Sequence, residues 1–130
     1  MTETDTETAA LRTLIVDDEP LAVERVQVIC AEIPAVRVVG TASDGAAALR
    51  LAEKLQPDLV LLDMTMPELD GLGVARHLAG GASPPAIVFV TAHDSFAVEA
   101  FDLDAVDYVL KPVTPERLER AIARALARRG

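Results

Sequence analysis

Short apolar runs recur along the chain at regular intervals, separated by segments that contain turn-forming and charged residues. Five of these runs are rich in β-branched residues and are short, which is typical of buried strands in a parallel sheet. The predicted strands cover residues 14–16, 36–39, 59–62, 87–90 and 106–110. Because longer segments lie between them, each strand has room for a helical connection to the next strand.

The segments between the runs place apolar residues at helical spacing. The predicted helices cover residues 20–33, 45–55, 72–79, 95–103 and a last segment from 115 onward. Asp70 and Asp94 each precede one of these helices and are good N-cap residues. Leu21, Val28 and Ile29 are expected to face the core from the first helix. Strict alternation of strands and helices predicts right-handed crossovers and an open, doubly wound α/β sheet.

Composition agrees with one domain that has a substantial core. The chain has 130 residues, of which 51% are hydrophobic and 25% charged, so extensive disorder is excluded. A single cysteine, Cys30, excludes a disulfide framework and a cysteine-based zinc site. With no apolar run near the ~20 residues of a membrane span and no apolar leader, we expect a soluble, cytoplasmic protein.

The charge balance excludes one class of partner. The formal net charge is −9, from 12 basic and 21 acidic residues, and such a surface repels phosphate backbones. We therefore expect no nucleic-acid binding by this domain alone, and no membrane binding. Three of the acidic residues lie within residues 1–10, which we expect to be a disordered acidic tail before a domain at 11–130.

Polar side chains follow four of the five predicted strands, at the point where each strand ends. Asp17 and Asp18 follow the first strand, and Asp63 follows the third. Thr91 follows the fourth strand, and Lys111 follows the fifth. Because the carboxyl ends of parallel strands share one edge of the sheet, we expect these side chains to line one crevice.

The chemistry that such a set supports is narrow. Asp17, Asp18 and Asp63 would repel one another unless a hard cation lay among them, and their oxygens suit Mg²⁺ or Mn²⁺. A lysine and a hydroxyl beside that cation favour a dianionic group, as phosphoryl transfer requires. Asp63 stands alone after its strand and is the best candidate for a nucleophile that forms an acyl phosphate.

These motifs, in this order and at these spacings, resemble the receiver domain of two-component response regulators over about residues 11–127. The matching stretches are DD at 17–18, LDMTMPELDG at 62–71, VTA at 90–92 and DYVLKP at 107–112. Residues 91–101 and 105–108 further resemble the receivers of LytTR-type transcription regulators. The expected fold is therefore flavodoxin-like, a (βα)5 unit whose five parallel strands have the order 2-1-3-4-5.

The resemblance implies a phosphoacceptor regulator rather than an enzyme. Asp63 would receive the phosphoryl group from a phosphohistidine of a sensor histidine kinase. Mg²⁺ would be held by Asp18 and Asp63 directly, by Asp17 largely through water, and by the backbone carbonyl of Thr65. The chain would promote only its own phosphorylation and dephosphorylation.

The resemblance also implies a relay from the phosphoryl group to the surface. Lys111 would pair with the phosphoryl oxygens, and its peptide bond to Pro112 would be cis, which proline permits at low cost. Thr91 would move its hydroxyl onto the phosphoryl group, and Tyr108 would turn inward behind it. This two-state element would carry the signal to the fourth helix, fifth strand and fifth helix.

Arginines recur at helical spacing along the last predicted helix and form one stripe. They are Arg117, Arg120, Arg124 and Arg128. The stripe is either a solvated face or one half of a dimer interface. The acidic residues that would face it from a second copy are Glu99, Asp102, Asp104 and Asp107. Since this arrangement is self-complementary in charge, we expect a homodimer through the fourth helix, fifth strand and fifth helix.

Three functions stay open at this point. The first is a switch that controls transcription through a LytTR-type DNA-binding domain, which these 130 residues do not include. The second is a stand-alone receiver that acts by protein–protein contact. The third is a phosphatase of the haloacid-dehalogenase type, which also forms an aspartyl phosphate with Mg²⁺. That class needs a second aspartate two residues after the nucleophile, where this chain has Thr65.

Overall fold

The computed structural model describes residues 10–66 and 69–129, so nearly all of the expected acidic tail lies outside the described residues. Strands and helices alternate along it. They are β1 (Leu11–Val16), α1 (Pro20–Ala31), β2 (Val36–Ala42), α2 (Gly45–Leu55), β3 (Leu59–Leu62), α3 (Gly71–Ala79), β4 (Ala86–Thr91), α4 (Ala97–Asp102), β5 (Asp107–Leu110) and α5 (Pro115–Arg129). Among the described residues, no helix is both long and apolar enough to cross a membrane.

The strands form one parallel sheet in the order β2-β1-β3-β4-β5, which confirms the predicted fold class. β3 lies at the centre, where Leu14 of β1 is paired with Val60, and Leu59 is paired with Ala86 of β4. All four residues of β3 are buried, because neighbouring strands and helices cover both of its edges and both of its faces. This explains why its sequence is uninterrupted by polar residues.

Alternate residues of each strand enter two separate cores, one on each face of the sheet. Leu59 and Leu61 belong to the core that also contains buried residues of α1 and α5. Val60 and Leu62 belong to the core on the opposite face, which is closed by α2, α3 and α4. The sheet is therefore doubly wound, and its carboxyl edge is left open between the two helical layers.

The expected core face of α1 is wrong for two of its three residues. Leu21 is 80% exposed and Val28 is 63% exposed, whereas Val26 and Ile29 are buried. Apolar residues occur on several sides of this helix, so the 3.6-residue period does not define a single face. The helix packs against β1 and β2, and these strands decide which side of α1 is covered.

The N-cap expectation is confirmed for α3 and wrong for α4. Asp70 caps α3 by accepting a hydrogen bond of 2.9 Å from the backbone N–H of Gly73. The helix α4 begins at Ala97, and its N-cap position is held by Phe96 rather than Asp94. Phe96 packs against the core that is closed by α2, α3 and α4, and this contact favours a helix start at the next residue.

The two cores predict a large difference between matched leucine substitutions. Leu61→Ala removes buried side-chain atoms from the central strand and should lower the free energy of unfolding by about 2–5 kcal/mol. Leu21→Ala, on the exposed side of α1, should change it by no more than about 0.5 kcal/mol. Urea unfolding followed by far-ultraviolet circular dichroism measures both, and similar losses for the two variants would contradict the burial described above.

Candidate functional site

The carboxyl edge of the sheet brings together the side chains that the sequence singles out. Asp17 and Asp18 directly follow β1, and Asp63 directly follows β3. Thr91 is the last residue of β4, and Lys111 directly follows β5. Because β1, β3, β4 and β5 are consecutive strands of the sheet, their carboxyl ends surround one crevice.

Three carboxylates form the floor of this crevice. Asp17, Asp18 and Asp63 each offer one oxygen, and these oxygens lie within 4.8 Å of one another. Asp17 and Asp63 are buried, and Asp18 is exposed to solvent. Several carboxylate oxygens at such separations match what a hard divalent cation with oxygen ligands requires, so these residues fit Mg²⁺.

The backbone around Asp63 fixes the direction of its side chain. Its N–H donates to the carbonyl of Val16 at 2.9 Å, and its Oδ1 accepts from the N–H of Met64 at 2.9 Å. The N–H of Gly71 donates to the carbonyl of Met64, which brings the start of α3 against this loop. A Cβ at Gly71 would lie 2.2 Å from the carbonyl oxygen of Asp63, so only glycine fits there.

Gly71 is thus a residue of the site that the sequence pattern does not single out. From the sequence it reads as the end of a loop, because glycine alone does not reveal what approaches it. Its place in the LDMTMPELDG stretch was a usable signal, since that stretch also contains Asp63.

The negative charges are crowded enough to disfavour the ionised state of Asp63. Burial and the neighbouring Asp17 carboxylate raise the pKa of Asp63. Lys111 and the Met64 N–H act in the opposite direction but do not cancel these effects. A bound cation would relieve this repulsion, because it places positive charge among the oxygens.

Lys111 contacts the cluster from the side of β5. Its Nζ lies 2.8 Å from Oδ2 of Asp17, 2.8 Å from Oε1 of Glu19 and 3.9 Å from Oδ1 of Asp63. Burial alone would lower the pKa of Lys111, but its bonds to Asp17 and Glu19 raise it, so the ammonium keeps its charge. The Lys111–Pro112 peptide bond is cis.

The backbone of His93 connects Thr91 to Tyr108. The N–H of His93 donates to Oγ1 of Thr91 at 3.3 Å, and its carbonyl accepts a hydrogen bond from the hydroxyl of Tyr108. Thr91 is fully buried and Tyr108 is half-buried, with its ring centroid 6.1 Å from that of Phe89. Burial raises the pKa of the Tyr108 hydroxyl, which therefore stays protonated and able to donate.

Charged residues on β5 and in the loop before it are paired with arginines of α5 in the same chain. Asp107 is buried and accepts two hydrogen bonds of 2.8 Å from Arg117, and Arg124 lies 3.0 Å from it. Although burial acts to raise it, these arginines lower the pKa of Asp107. Asp104 pairs with Arg128 at 2.6 Å. Within one chain, Asp104 and Asp107 thus already have arginine partners, and their expected contacts with arginines of a second copy stay a prediction.

The rest of the expected dimer face is exposed. Among the described residues, Glu99, Asp102 and Arg120 are exposed and form no ion pair. Val98, Phe101 and Leu110 on α4 and β5 are 71%, 55% and 47% exposed. Thr65 is also exposed, and the role of its carbonyl in holding a cation stays a prediction.

Comparison with known proteins identifies, over most of the chain, the same family that the sequence motifs resemble. The family model of the response regulator receiver domain matches residues 13–123. The chain is 50% identical over 116 residues to the positive alginate biosynthesis regulatory protein of Pseudomonas aeruginosa, covering 88% of this chain and 47% of that protein. It is 42% identical over 112 residues to the sensory transduction protein LytR of Staphylococcus haemolyticus, covering 86% and 44%.

Solved structures agree with this result. The response regulatory domain of protein MrkE from Klebsiella pneumoniae superposes with a TM-score of 0.84 at 33% identity, covering 91% of this chain and 97% of that domain. The chain spans about half the length of the curated relatives it matches. The matched region includes every residue of the crevice described above. The chain therefore belongs to the response regulator receiver domain family.

Proposed function

We propose that this chain is a phosphoacceptor switch that takes a phosphoryl group from a sensor histidine kinase onto Asp63. The observation that carries the proposal is the position of Asp63. It is buried beside Asp17 and Asp18, at the carboxyl edge of the sheet, with the Lys111 ammonium 3.9 Å away. A carboxylate nucleophile, a cation site and a fixed positive charge are the parts that phosphoryl transfer requires.

In the proposed step, a carboxylate oxygen of Asp63 forms a bond to phosphorus as the bond from phosphorus to the kinase's imidazole nitrogen breaks. The bonding electrons return to that nitrogen, and the imidazole, protonated on its other nitrogen, leaves neutral. Asp63 becomes an acyl phosphate. Mg²⁺ bound by Asp17, Asp18 and Asp63, with the Thr65 carbonyl as a further ligand, would supply positive charge that offsets the phosphoryl oxygens.

The same proposal assigns the relay to the residues joined through His93. When the Thr91 hydroxyl turns toward the phosphoryl group, the bond from the His93 N–H to Thr91 changes with it. The Tyr108 hydroxyl is bonded to the carbonyl of the same residue. A change at Thr91 therefore reaches Tyr108 on β5 through the single residue His93. The helix α4 begins four residues after His93.

A regulator fits the site better than a phosphatase. Haloacid-dehalogenase phosphatases need an acid/base aspartate two residues after the nucleophile, and Thr65 cannot take that role because it does not ionise. We also infer a cytoplasmic location, as the proposed kinase partner requires. Control of transcription through a LytTR-type DNA-binding domain outside these residues is supported by a relative named as a transcriptional regulatory protein, BtsR of Escherichia coli, of which the chain spans about half. A stand-alone receiver that acts by protein contact is the alternative.

We further propose that phosphorylation favours a homodimer through α4, β5 and α5. Three of the five large hydrophobic residues that are exposed in the described part of the chain lie on α4 and β5. Glu99 and Asp102 on α4 and Arg120 on α5 provide charges of both signs that are free to pair with a second copy. Burial of the exposed side chains of Val98, Phe101 and Leu110 against a second copy would supply most of the association energy.

The phosphoacceptor assignment predicts one covalent adduct. After incubation with Mg²⁺ and acetyl phosphate, intact mass spectrometry of the parent should show a single added phosphoryl group, which Asp63→Asn abolishes because an amide is no nucleophile here. Asp70→Asn is the matched control, since asparagine caps a helix as well as aspartate does. An adduct on the Asp63→Asn protein would move the acceptor to another residue.

The crowded carboxylates predict a stability effect with a definite dependence on pH. In EDTA at pH 7, Asp63→Asn should raise the free energy of unfolding, because it removes a charge that the folded state disfavours. The folded pKa of Asp63 is raised, so its penalty is full above that pKa and is lost as the pH falls through it. The gain should therefore shrink on acidification.

Urea titrations at several pH values measure this difference. Added Mg²⁺ should stabilise the parent more than the Asp63→Asn protein, because the cation binds the folded state through the carboxylate that the variant lacks. A variant that is less stable than the parent at pH 7 in EDTA would show that the Asp63 charge is favourable in the fold, against the raised pKa.

The dimer proposal predicts a change in mass with a phosphoryl mimic. With Mg²⁺ and beryllofluoride, sedimentation equilibrium should show more dimer than with Mg²⁺ alone. Arg120→Glu should weaken the dimer by on the order of tenfold, because it places like charges opposite Glu99 and Asp102. Arg50→Glu, an exposed change on α2, is the charge-matched control. Monomer alone under both conditions would remove the proposal.

A further inference from the structure

Glu19 has an unusual place next to the crevice. It is the N-cap residue of α1, yet its side chain makes no capping hydrogen bond within the described residues of that helix. Glutamate is not among the residues preferred at this position. Its own N–H donates to Oδ1 of Asp17 at 2.9 Å, so the backbone of Glu19 is fixed against the acidic cluster. The side chain is therefore free to make a contact elsewhere.

That contact is with Lys111. Oε1 of Glu19 lies 2.8 Å from Nζ of Lys111, although 92 residues separate the two along the chain. The same Nζ is 2.8 Å from Asp17 and 3.9 Å from Asp63. The ammonium thus contacts two carboxylates at hydrogen-bond distance, and the acceptor aspartate is the most distant of the three.

The two close partners of Lys111 differ in what a cation would do to them. Asp17 belongs to the group of three acids that could share a metal ion in the described part of the chain, and Glu19 does not. A cation bound to Asp17 would compete with the Lys111 ammonium for the Asp17 carboxylate and would weaken the bond between the two residues. Glu19 would then remain as the carboxylate that holds the ammonium.

We infer that Glu19 is a positioning residue that holds the Lys111 ammonium at the rim of the crevice and competes for it with the incoming phosphoryl group. The inference rests on the proposed phosphoacceptor function of Asp63. Lys111 must give up its bond to Glu19, wholly or in part, to reach oxygens on Asp63. Glu19 therefore slows phosphoryl transfer, while its negative charge near Asp17 and Asp18 increases the attraction for Mg²⁺.

Removing the Glu19 charge should therefore raise the rate of phosphorylation and lower the affinity for Mg²⁺, whereas a loss of structure would lower both. At saturating Mg²⁺, Glu19→Gln should be phosphorylated by acetyl phosphate about twofold to fivefold faster than the parent, as expected for an exposed ion pair. Its Mg²⁺ affinity, measured by isothermal titration calorimetry without acetyl phosphate, should fall by about twofold. The rate is followed by intact mass, and circular dichroism checks that both proteins fold.

Two further variants separate contact from charge. Glu19→Asp keeps the charge but shortens the side chain, so it should be phosphorylated as fast as Glu19→Gln while it binds Mg²⁺ as the parent does. Glu24→Gln removes an exposed charge from α1 away from Lys111 and should match the parent in both measurements.

The results distinguish a failure of the proposed function from a failure of the role of Glu19 alone. A parent that takes no phosphoryl group overturns the proposed function, and the role of Glu19 with it. A parent that is phosphorylated at the same rate as Glu19→Gln overturns the role of Glu19 alone. A large parallel fall in rate and Mg²⁺ affinity also overturns it, because Glu19 would then be a ligand or a structural support rather than a competitor.

Discussion

Mutual repulsion among carboxylates at one edge of the sheet is the constraint on which the site depends. Asp17 and Asp63 are buried side by side because β1 and β3 are neighbours whose ends are joined by the bond from the Asp63 N–H to Val16. Their packing in two apolar cores prevents the strands from separating to relieve that repulsion. Lys111 offsets only part of it, and a cation placed among these oxygens would relieve the rest.

The sequence predicts well the fold and which side chains lie together at the carboxyl edge, because both depend on features that are local in the chain. Uninterrupted apolar runs such as 59–62 identify buried strands, and the residue after each run must lie at the shared carboxyl edge. The prediction therefore needs only the topology rule for parallel sheets, with no knowledge of side-chain packing. Asp63 and Lys111 are brought together on this basis alone.

What the sequence could not predict depends on contacts between distant segments. The hydrophobic pattern alone places Leu21 and Val28 on the wrong side of α1, because apolar residues surround much of that helix and its neighbours select the covered face. The Glu19–Lys111 pair joins the start of α1 to the end of β5, and no periodic pattern connects them. Gly71 is required by a close approach of backbone, which leaves no signal in its own residue type.

The pairing of Asp107 bears on how a signal could leave the crevice. Arg117 donates to Asp107 through two bonds and also to the carbonyl of Tyr108 at 3.2 Å, so α5 is bonded to the strand that carries the proposed switch residue. A buried carboxylate loses these partners only at a large energetic cost, so β5 and α5 should move as one unit. A rotation of Tyr108 would then alter the β4–α4 loop, through His93, more than it alters α5. The apolar residues of α4 are therefore the part of the proposed interface that would respond most directly to phosphorylation of Asp63.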